Sequence, residues 1–182
     1  MARKPRIWFP GATFHITSRG NRRASIFYDD DDCFMYLTLL EETRMHFPFL
    51  LHAYCLMSNH IHLLLETQDH SISIIMKDLH AKYVIYFNKR HQFSGHLFQG
   101  RYGGHLINDN DYFLQVSRYI HLNPVKAGLV RDPIRYPWSS YHAFITPSSN
   151  IHITSARTLS SFSPPSTFHY QQFIKQKIKD IL

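Results

Sequence analysis

Two histidines separated by one residue, His60-Ile61-His62, are the first place in this 182-residue chain where chemistry can be read. Alternate side chains of a β-strand share a face, so His60 and His62 point the same way, two residue rises or roughly 6–7 Å apart. Ile61, Leu63 and Leu65 then point into a core. Two imidazoles at that spacing can converge on one divalent cation; neutral imidazole suits Mn²⁺, Fe²⁺ and Zn²⁺, whereas Mg²⁺ prefers oxygen. The pattern equally fits a strand whose histidines only pack or face water, in a chain holding 14 of them. Tyr119 and Asn123, at i and i+4 of a helical segment, share one helix face with Tyr112, Gln115 and Val116 on or near it. As the last helical residue before Pro124, Asn123 can turn its amide oxygen outward to cap the helix or to ligate a metal. The plainer alternative is a core tyrosine, one of 11, beside a C-cap asparagine.

A third feature is a basic set: Arg3, Lys4, Arg6, Arg19, Arg22, Arg23, Arg101, Arg118, Lys126, Arg131 and Arg135. Such charges serve phosphate contacts, and neighbouring aromatic rings can stack on exposed bases. They also fit a merely solvated surface. With a formal net charge of +7, nucleic acid is the favoured partner.

The elements that must position these residues follow from periodicity. Residues 12–18 alternate as a strand and turn at Gly20-Asn21. Asp29 to Asp32 complement the positive end of a helix over 30–46, stopped before Pro48. Residues 49–57 and 60–66 form a hairpin about Ser58-Asn59. A helix over 71–90 has Ser71 as its N-cap. Residues 97–107 make an irregular strand, and Asp109 to Asp111 start a helix to about 122, ended by Pro124. Residues 133–141 are extended, 146–167 are a Ser/Thr/Pro-rich linker, and 168–181 are a short basic helix. The order β-α-β-β-α-β is that of the ferredoxin-like split βαβ fold, an α+β antiparallel sheet with packed helices, followed by a late helix. Residues 1–145 form one domain with a basic N-terminal arm, and 146–182 an appended segment.

Other classes are excluded by what is missing. There is no GxGxxG after a strand and no phosphate-binding GxxxxGK[ST] loop. Cys33 and Cys55 have no partner cysteines at zinc spacing, and two cysteines make no disulfide framework, so a reducing cytoplasm is the expected compartment. The acidic run lacks the glycine and distal glutamate of a calcium loop, and Ser139-Ser140 lacks a nucleophile-elbow context. The longest apolar stretch, Phe47 to Met57, is about half of the ~20 residues a membrane helix needs, and the basic N-terminus lacks a following apolar region, so neither membrane nor secretion is expected.

The segments TSRGNRRASIFYDDDD, LHAYCLMSNHIHLLLE, GHLFQGRY, YIHLNPVKAGLV and YPWSSY, in this order and spanning roughly residues 12 to 142, resemble the single-tyrosine transposases of the HUH endonuclease superfamily. These include small insertion-sequence transposases and REP-associated tyrosine transposases; the RGN and YIHLNP forms resemble the latter more. Ser58 departs from the proline that relatives often carry there.

The resemblance implies that His60 and His62 bind a divalent metal, Mg²⁺ or Mn²⁺, with Asn123 as third ligand. It implies that Tyr119 is the nucleophile, cutting single-stranded DNA beside a hairpin through a 5′-phosphotyrosine intermediate and rejoining it elsewhere. His121 points to another helix face and is a poor base for Tyr119. The basic N-terminal arm and Arg19, Arg22, Arg23, Arg101 and Arg118 are the candidates for DNA contact. Dimers are expected of the insertion-sequence type and monomers of the REP-associated type. The charge and the split βαβ order also suit a module that binds DNA or RNA hairpins without cutting them.

Overall fold

A computed structural model describes residues 7–146, 150–178 and 180–181. Four strands, β1 (Thr13–Arg19), β2 (Phe49–Met57), β3 (His60–Thr67) and β4 (Gly103–Ile107), form one sheet in the order β2-β3-β1-β4, antiparallel throughout. Helices α1 (Asp30–His46) and α2 (Ile72–His91) cover one face. Helix α3 (Asn110–Lys126) lies on the other. The expected α+β order is observed.

The strands separate the two faces by their alternation. Phe14 and Ile16 of β1, with Ile61, Leu63 and Leu65 of β3, bury against Tyr36, Leu40, Leu79 and Tyr83 of α1 and α2. On the reverse face Ala53, Cys55, Met57 and Leu64 meet Phe113, Val116 and Ile120 of α3. Each buried Leu, Ile, Val, Phe or Met among them contributes about 1.5–3 kcal/mol. Because that apolar patch covers one part of the face only, the rest of it, carrying His60 and His62, is left to polar groups.

Helix starts follow side-chain chemistry. Asp29 caps α1 by accepting from the Asp32 N–H, and Asp109 caps α3 by accepting from the Tyr112 N–H at 2.7 Å. Ser71 precedes α2 as expected, but its hydroxyl makes no capping bond. The two core-side helices are pinned end to end. Arg90 of α2 donates to Asp29, Asp31 and Asp32, and buried Asp32 also accepts from the Tyr28 N–H, the Tyr86 hydroxyl and His91.

Several expectations are corrected. Helix α3 does not stop before Pro124: it runs to Lys126 with Pro124 inside it. In the last turn a proline removes one helical bond, and the Ala127 N–H still reaches the Asn123 carbonyl at 2.9 Å, with the true stop at Gly128 (φ +68°). Asn123 is therefore a helical residue, not a cap. The strand expected over 97–107 is confined to 103–107, with an isolated bridge between Gly20 and Phe98, because Gly95 and Gly100 turn the chain at positive φ. Gly20 is required there, since a Cβ would lie 2.0 Å from the Ala24 carbonyl oxygen. Residues 133–141 are not uniformly extended: Pro133–Arg135 make a 3₁₀ turn capped by Asp132, after which Trp138 and Ser140 hydrogen-bond along the outer edge of β2.

The Ser/Thr/Pro-rich segment is not loose where it is described. The Thr154 N–H bonds the Leu51 carbonyl at 2.7 Å, and Arg157 donates to Glu66 at 2.6 Å. After two short helices, α4 (His142–Ile145) and α5 (Ala156–Leu159), the last helix α6 (Ser166–Ile178) begins and ends slightly earlier than expected. Tyr170 and Ile174 of α6 share one apolar cluster with Leu122 and Val125 of α3 and Phe144 of α4. Inside this seam His121 is fully buried, with Nδ1 2.7 Å from the Tyr170 hydroxyl and Nε2 2.8 Å from the Ser140 hydroxyl, while Tyr170 also meets Ser117 at 2.8 Å. Arg3, Lys4 and Arg6 lie outside the described residues. Among the described residues no helix is long and apolar enough to cross a membrane.

These contacts set the response of the fold to acid and to truncation. Burial alone would raise the Asp32 carboxyl, but the Tyr28 N–H, His91 and Arg90 outweigh it and hold it below the usual range. A carboxyl depressed in the folded state stabilises above its unfolded value of about 4, and that stability is lost as pH falls through the folded value. Melting curves from pH 6 down to 2 (the working range, about four units) are expected to fall less steeply for Asp32→Asn than for the native chain; equal slopes would remove this carboxylate from the acid response. Tyr170→Phe leaves His121 and Ser117 short of a partner and is expected to cost about 1–3 kcal/mol in urea unfolding.

Candidate active site

The site begins with register. β3 places His60 opposite Arg19 and His62 opposite Thr17 on β1, and His15 opposite His105 on β4. One sheet face therefore carries His60, His62, His15 and His105 together. Thr17 also pairs with Gly103, where a Cβ would come within 2.6 Å of the threonine hydroxyl, so the row beside His62 is kept narrow by a glycine. Ser58, in the turn before His60, accepts the Ile26 and Phe27 N–H groups through its carbonyl.

Helix α3 crosses this face and presents Tyr119 to the histidines. The Tyr119 ring centroid is 5.4 Å from that of His62 and 5.8 Å from that of His15, edge-on to both, and His60 lies 5.0 Å from His62. Tyr119 remains 39% exposed. Asn123, one turn on, donates from its amide nitrogen to the Tyr119 carbonyl at 3.1 Å and meets the His60 side chain in a further hydrogen bond. Residues from a hairpin strand and a distant helix are thus brought together, with Tyr119 exposed, His60 half-buried, and His62 and Asn123 buried. Tyr119, Asn123, His60 and His62, singled out from spacing, converge.

The imidazoles are prepared as neutral groups. Burial, then His15, His60, Arg19 and Lys126, push His62 down to about 3; burial, then His105, push His15 down to about 4. Burial and Arg19 also lower His60, against the Asn123 bond. His60 Nδ1 lies 2.7 Å from the Asn59 side-chain oxygen Oδ1, which can only accept, so Nδ1 carries the proton and Nε2 the lone pair. His62 Nδ1 lies 3.1 Å from His15 Nε2, which likewise leaves its Nε2 unclaimed by that contact. With the Asn123 nitrogen already donating, its oxygen is the remaining acceptor. Two imidazole nitrogens and an amide oxygen are a donor set that fits Mn²⁺ or a similar ion better than Mg²⁺, which prefers oxygen. Among the described residues no three His, Cys, Asp or Glu side chains form a metal cluster, so such a set must include the amide.

The arginines divide. Arg19 ends β1 opposite His60 and is close enough to lower both histidines. Arg22 and Arg23 are exposed in a 3₁₀ turn, at φ +53° and +62°, a backbone region that glycine adopts more cheaply. The Arg23 carbonyl accepts from Asn59, the partner of His60, so this turn borders the histidine end of the sheet. Arg118 stands beside Tyr119 but is anchored by Gln115 and the Phe173 carbonyl. Arg101 lies elsewhere, on the rim of a separate cleft of about 930 Å³ between α2 and residues 95–102. Spacing missed His15, whose only signal is the alternation that puts it on the face of Thr13 and Thr17. It also did not single out Lys126 for this site; its ammonium stands 4.3 Å over the Tyr119 ring. Lys177, from α6, lines the same cleft of about 390 Å³ as Tyr119.

Comparison with known proteins bears on the family and the fold. Residues 9–123 match the family described as "Transposase IS200 like". A Haemophilus influenzae protein named as a REP-associated tyrosine transposase is 32% identical over 114 residues, covering 56% of this chain and 64% of its own. The match thus spans under two thirds of that relative's length. A solved structure described as a REP-associated tyrosine transposase bound to a REP hairpin aligns over 86% of this chain and 96% of its own, at 22% identity and a TM-score of 0.67, a likeness of fold. A Deinococcus radiodurans protein described as a transposase aligns over 65% of this chain and 95% of its own, at 19% identity and a TM-score of 0.46. With its family match reaching from before the first strand to Asn123, the chain belongs to the IS200-like transposases.

Proposed function

We propose that this protein is a metal-dependent DNA strand transferase that cuts single-stranded DNA beside a hairpin, with Tyr119 as nucleophile and His60, His62 and Asn123 as holders of one divalent cation. The observation that carries the proposal is the convergence of these four side chains, from a hairpin strand and a distant helix, with the Tyr119 ring open to solvent. The hairpin partner is supported by the related transposase of similar fold, which was solved bound to a REP hairpin.

What Mg²⁺ or Mn²⁺ supplies when bound there is Lewis-acid polarisation of the scissile phosphate and neutralisation of developing charge. The remaining work belongs to the chain. Asn59 Oδ1 accepts from His60 Nδ1, and His62 Nδ1 shares a 3.1 Å contact with His15 Nε2; a cation held here would replace the Asn123 bond at His60 and use the nitrogen of His62 that faces away from His15. Tyr119 is a weak nucleophile as a neutral phenol, and the exposed position of its ring gives a strand access. Its oxygen forms a bond to phosphorus as the bond from phosphorus to the 3′ oxygen breaks. The phenol gives up its proton, and the leaving oxygen becomes a 3′-hydroxyl. The phosphoester energy stays in the phosphotyrosine, so another 3′-hydroxyl can reverse the step without ATP. His121 plays no part as a base, because both its nitrogens are engaged in the buried seam.

The test uses single-stranded oligonucleotides carrying hairpins from the gene's own flanks, labelled on the 3′ side, with Mn²⁺ or Mg²⁺. A denaturant-stable protein–DNA adduct is expected, lost in Tyr119→Phe and on chelation. An adduct undiminished in Tyr119→Phe removes the nucleophile assignment; tight binding with no adduct turns the protein into a hairpin-binding module. His15→Leu is expected to weaken Mn²⁺ binding, read by electron paramagnetic resonance, about 10–100-fold, with little change in melting temperature. Unchanged Mn²⁺ affinity would leave His15 a packing residue.

A further inference from the structure

We propose that helix α6 completes a phosphate-binding cleft beside Tyr119, in which Lys177, Lys126 and Arg118 hold a backbone phosphate of the bound strand adjacent to the one that Tyr119 reaches. This rests on the reading of a DNA strand at Tyr119, and it assigns a task to Lys126 and Lys177, which lie beyond the family match that ends at Asn123.

The cleft is about 390 Å³, toward the small end of ligand sites of roughly 300–1,000 Å³. Its charged lining is Arg118, Lys126 and Lys177, and among the described residues no acidic side chain lines it. Tyr112 and Tyr119, both exposed, offer aromatic faces at its sides. Aromatic faces beside cations are how single strands are held without sequence preference.

The three cations are forced together by packing. Tyr170 fixes α6 to α3 through Ser117 and His121. One turn on, the Phe173 ring lies 4.3 Å under the Arg118 guanidinium and its carbonyl accepts from it at 3.4 Å. Another turn brings Lys177 to the cleft. Lys126 stands over the Tyr119 ring. Burial, then Lys177 and Arg118, lower the Lys126 ammonium, so the cluster repels itself, and an anion seated between its members relieves that cost. Lys177 does pair with Asp180 at 2.7 Å, but both groups are at least half exposed, and such a pair contributes little against a phosphate.

The experiment measures binding of fluorescein-labelled oligothymidylate by anisotropy as salt is raised from about 50 to 200 mM. Each lost phosphate contact is expected to reduce the log–log salt slope by about 0.7 for a single strand. Lys177→Gln and Lys126→Gln should each show that reduction, and Lys89→Gln, across the sheet on α2, should not. Unchanged slopes in both cleft variants overturn the proposal, as does an equal reduction in Lys89→Gln, which would mean a diffuse field, or no binding at all. Because binding needs no cleavage, an adduct with unchanged slopes sinks the phosphate cleft alone. Reduced slopes without an adduct sink the nuclease reading and leave the cleft standing.

Discussion

Helix α3 lies across the sheet because Phe113, Val116 and Ile120 must bury against Ala53, Cys55 and Leu64, and everything else at the site depends on that contact. Burial of these side chains sets the height of the helix above the strands. That height puts the Tyr119 ring within 5.4 Å of His62 while leaving it exposed. A ferredoxin-like sheet otherwise shows one bare face to water. Here the face is split: apolar where α3 covers it, polar along β3 and β1 where it does not. The boundary between the two halves is the site. A helix shifted by one turn would bring Val116 or Asn123 to the position of Tyr119, so the chemistry is tied to the packing register of an apolar stripe.

The electrostatics follow from the same half-coverage. His62 and His15 are buried enough to be neutral, while Arg19 and Lys126 stand at the rim. Neutral imidazoles keep their lone pairs, and the rim cations favour a polyanion while they disfavour protonation of the rings. The bond that Asn59 accepts from His60 and the contact between His15 and His62 add direction to that neutrality, because each engages the Nδ1 of one histidine. Stability is handled elsewhere, by Asp32 and Arg90 on the opposite face, so the charges that hold the core helices together are kept apart from the charges that face a strand.

How much of this could be read from residues alone depends on how local each cause is. The His60-Ile61-His62 alternation and the Tyr119/Asn123 helical spacing are short-range facts, and they survive folding unchanged. So does α1, whose start at Asp29 and stop before Pro48 are both written within a turn of themselves. Pro124 misled because a proline's cost depends on where in the helix it falls. Four residues later the chain has ended the helix anyway, at Gly128, so one missing N–H is tolerated. His15 was invisible because its role comes from pairing across strands, where register, not sequence neighbours, decides which side chains meet.

The tail is the clearest case of a long-range cause. Ser, Thr and Pro between 146 and 167 carry no periodicity, and locally they read as linker. What orders the described part is distant: the free edge of β2 offers the Leu51 carbonyl to Thr154, and Glu66 offers a carboxylate to Arg157. Those anchors carry the chain back over α3, where Tyr170 meets a buried His121 that would otherwise have an unpartnered nitrogen. An unpaired buried imidazole is costly, and a tyrosine placed by a returning helix removes that cost. The requirement of α3 for a partner on its second face therefore brings α6 to the Tyr119 cleft. Once it is there, the helical repeat from Tyr170 through Phe173 to Lys177 places a cation beside Tyr119 as a consequence of packing.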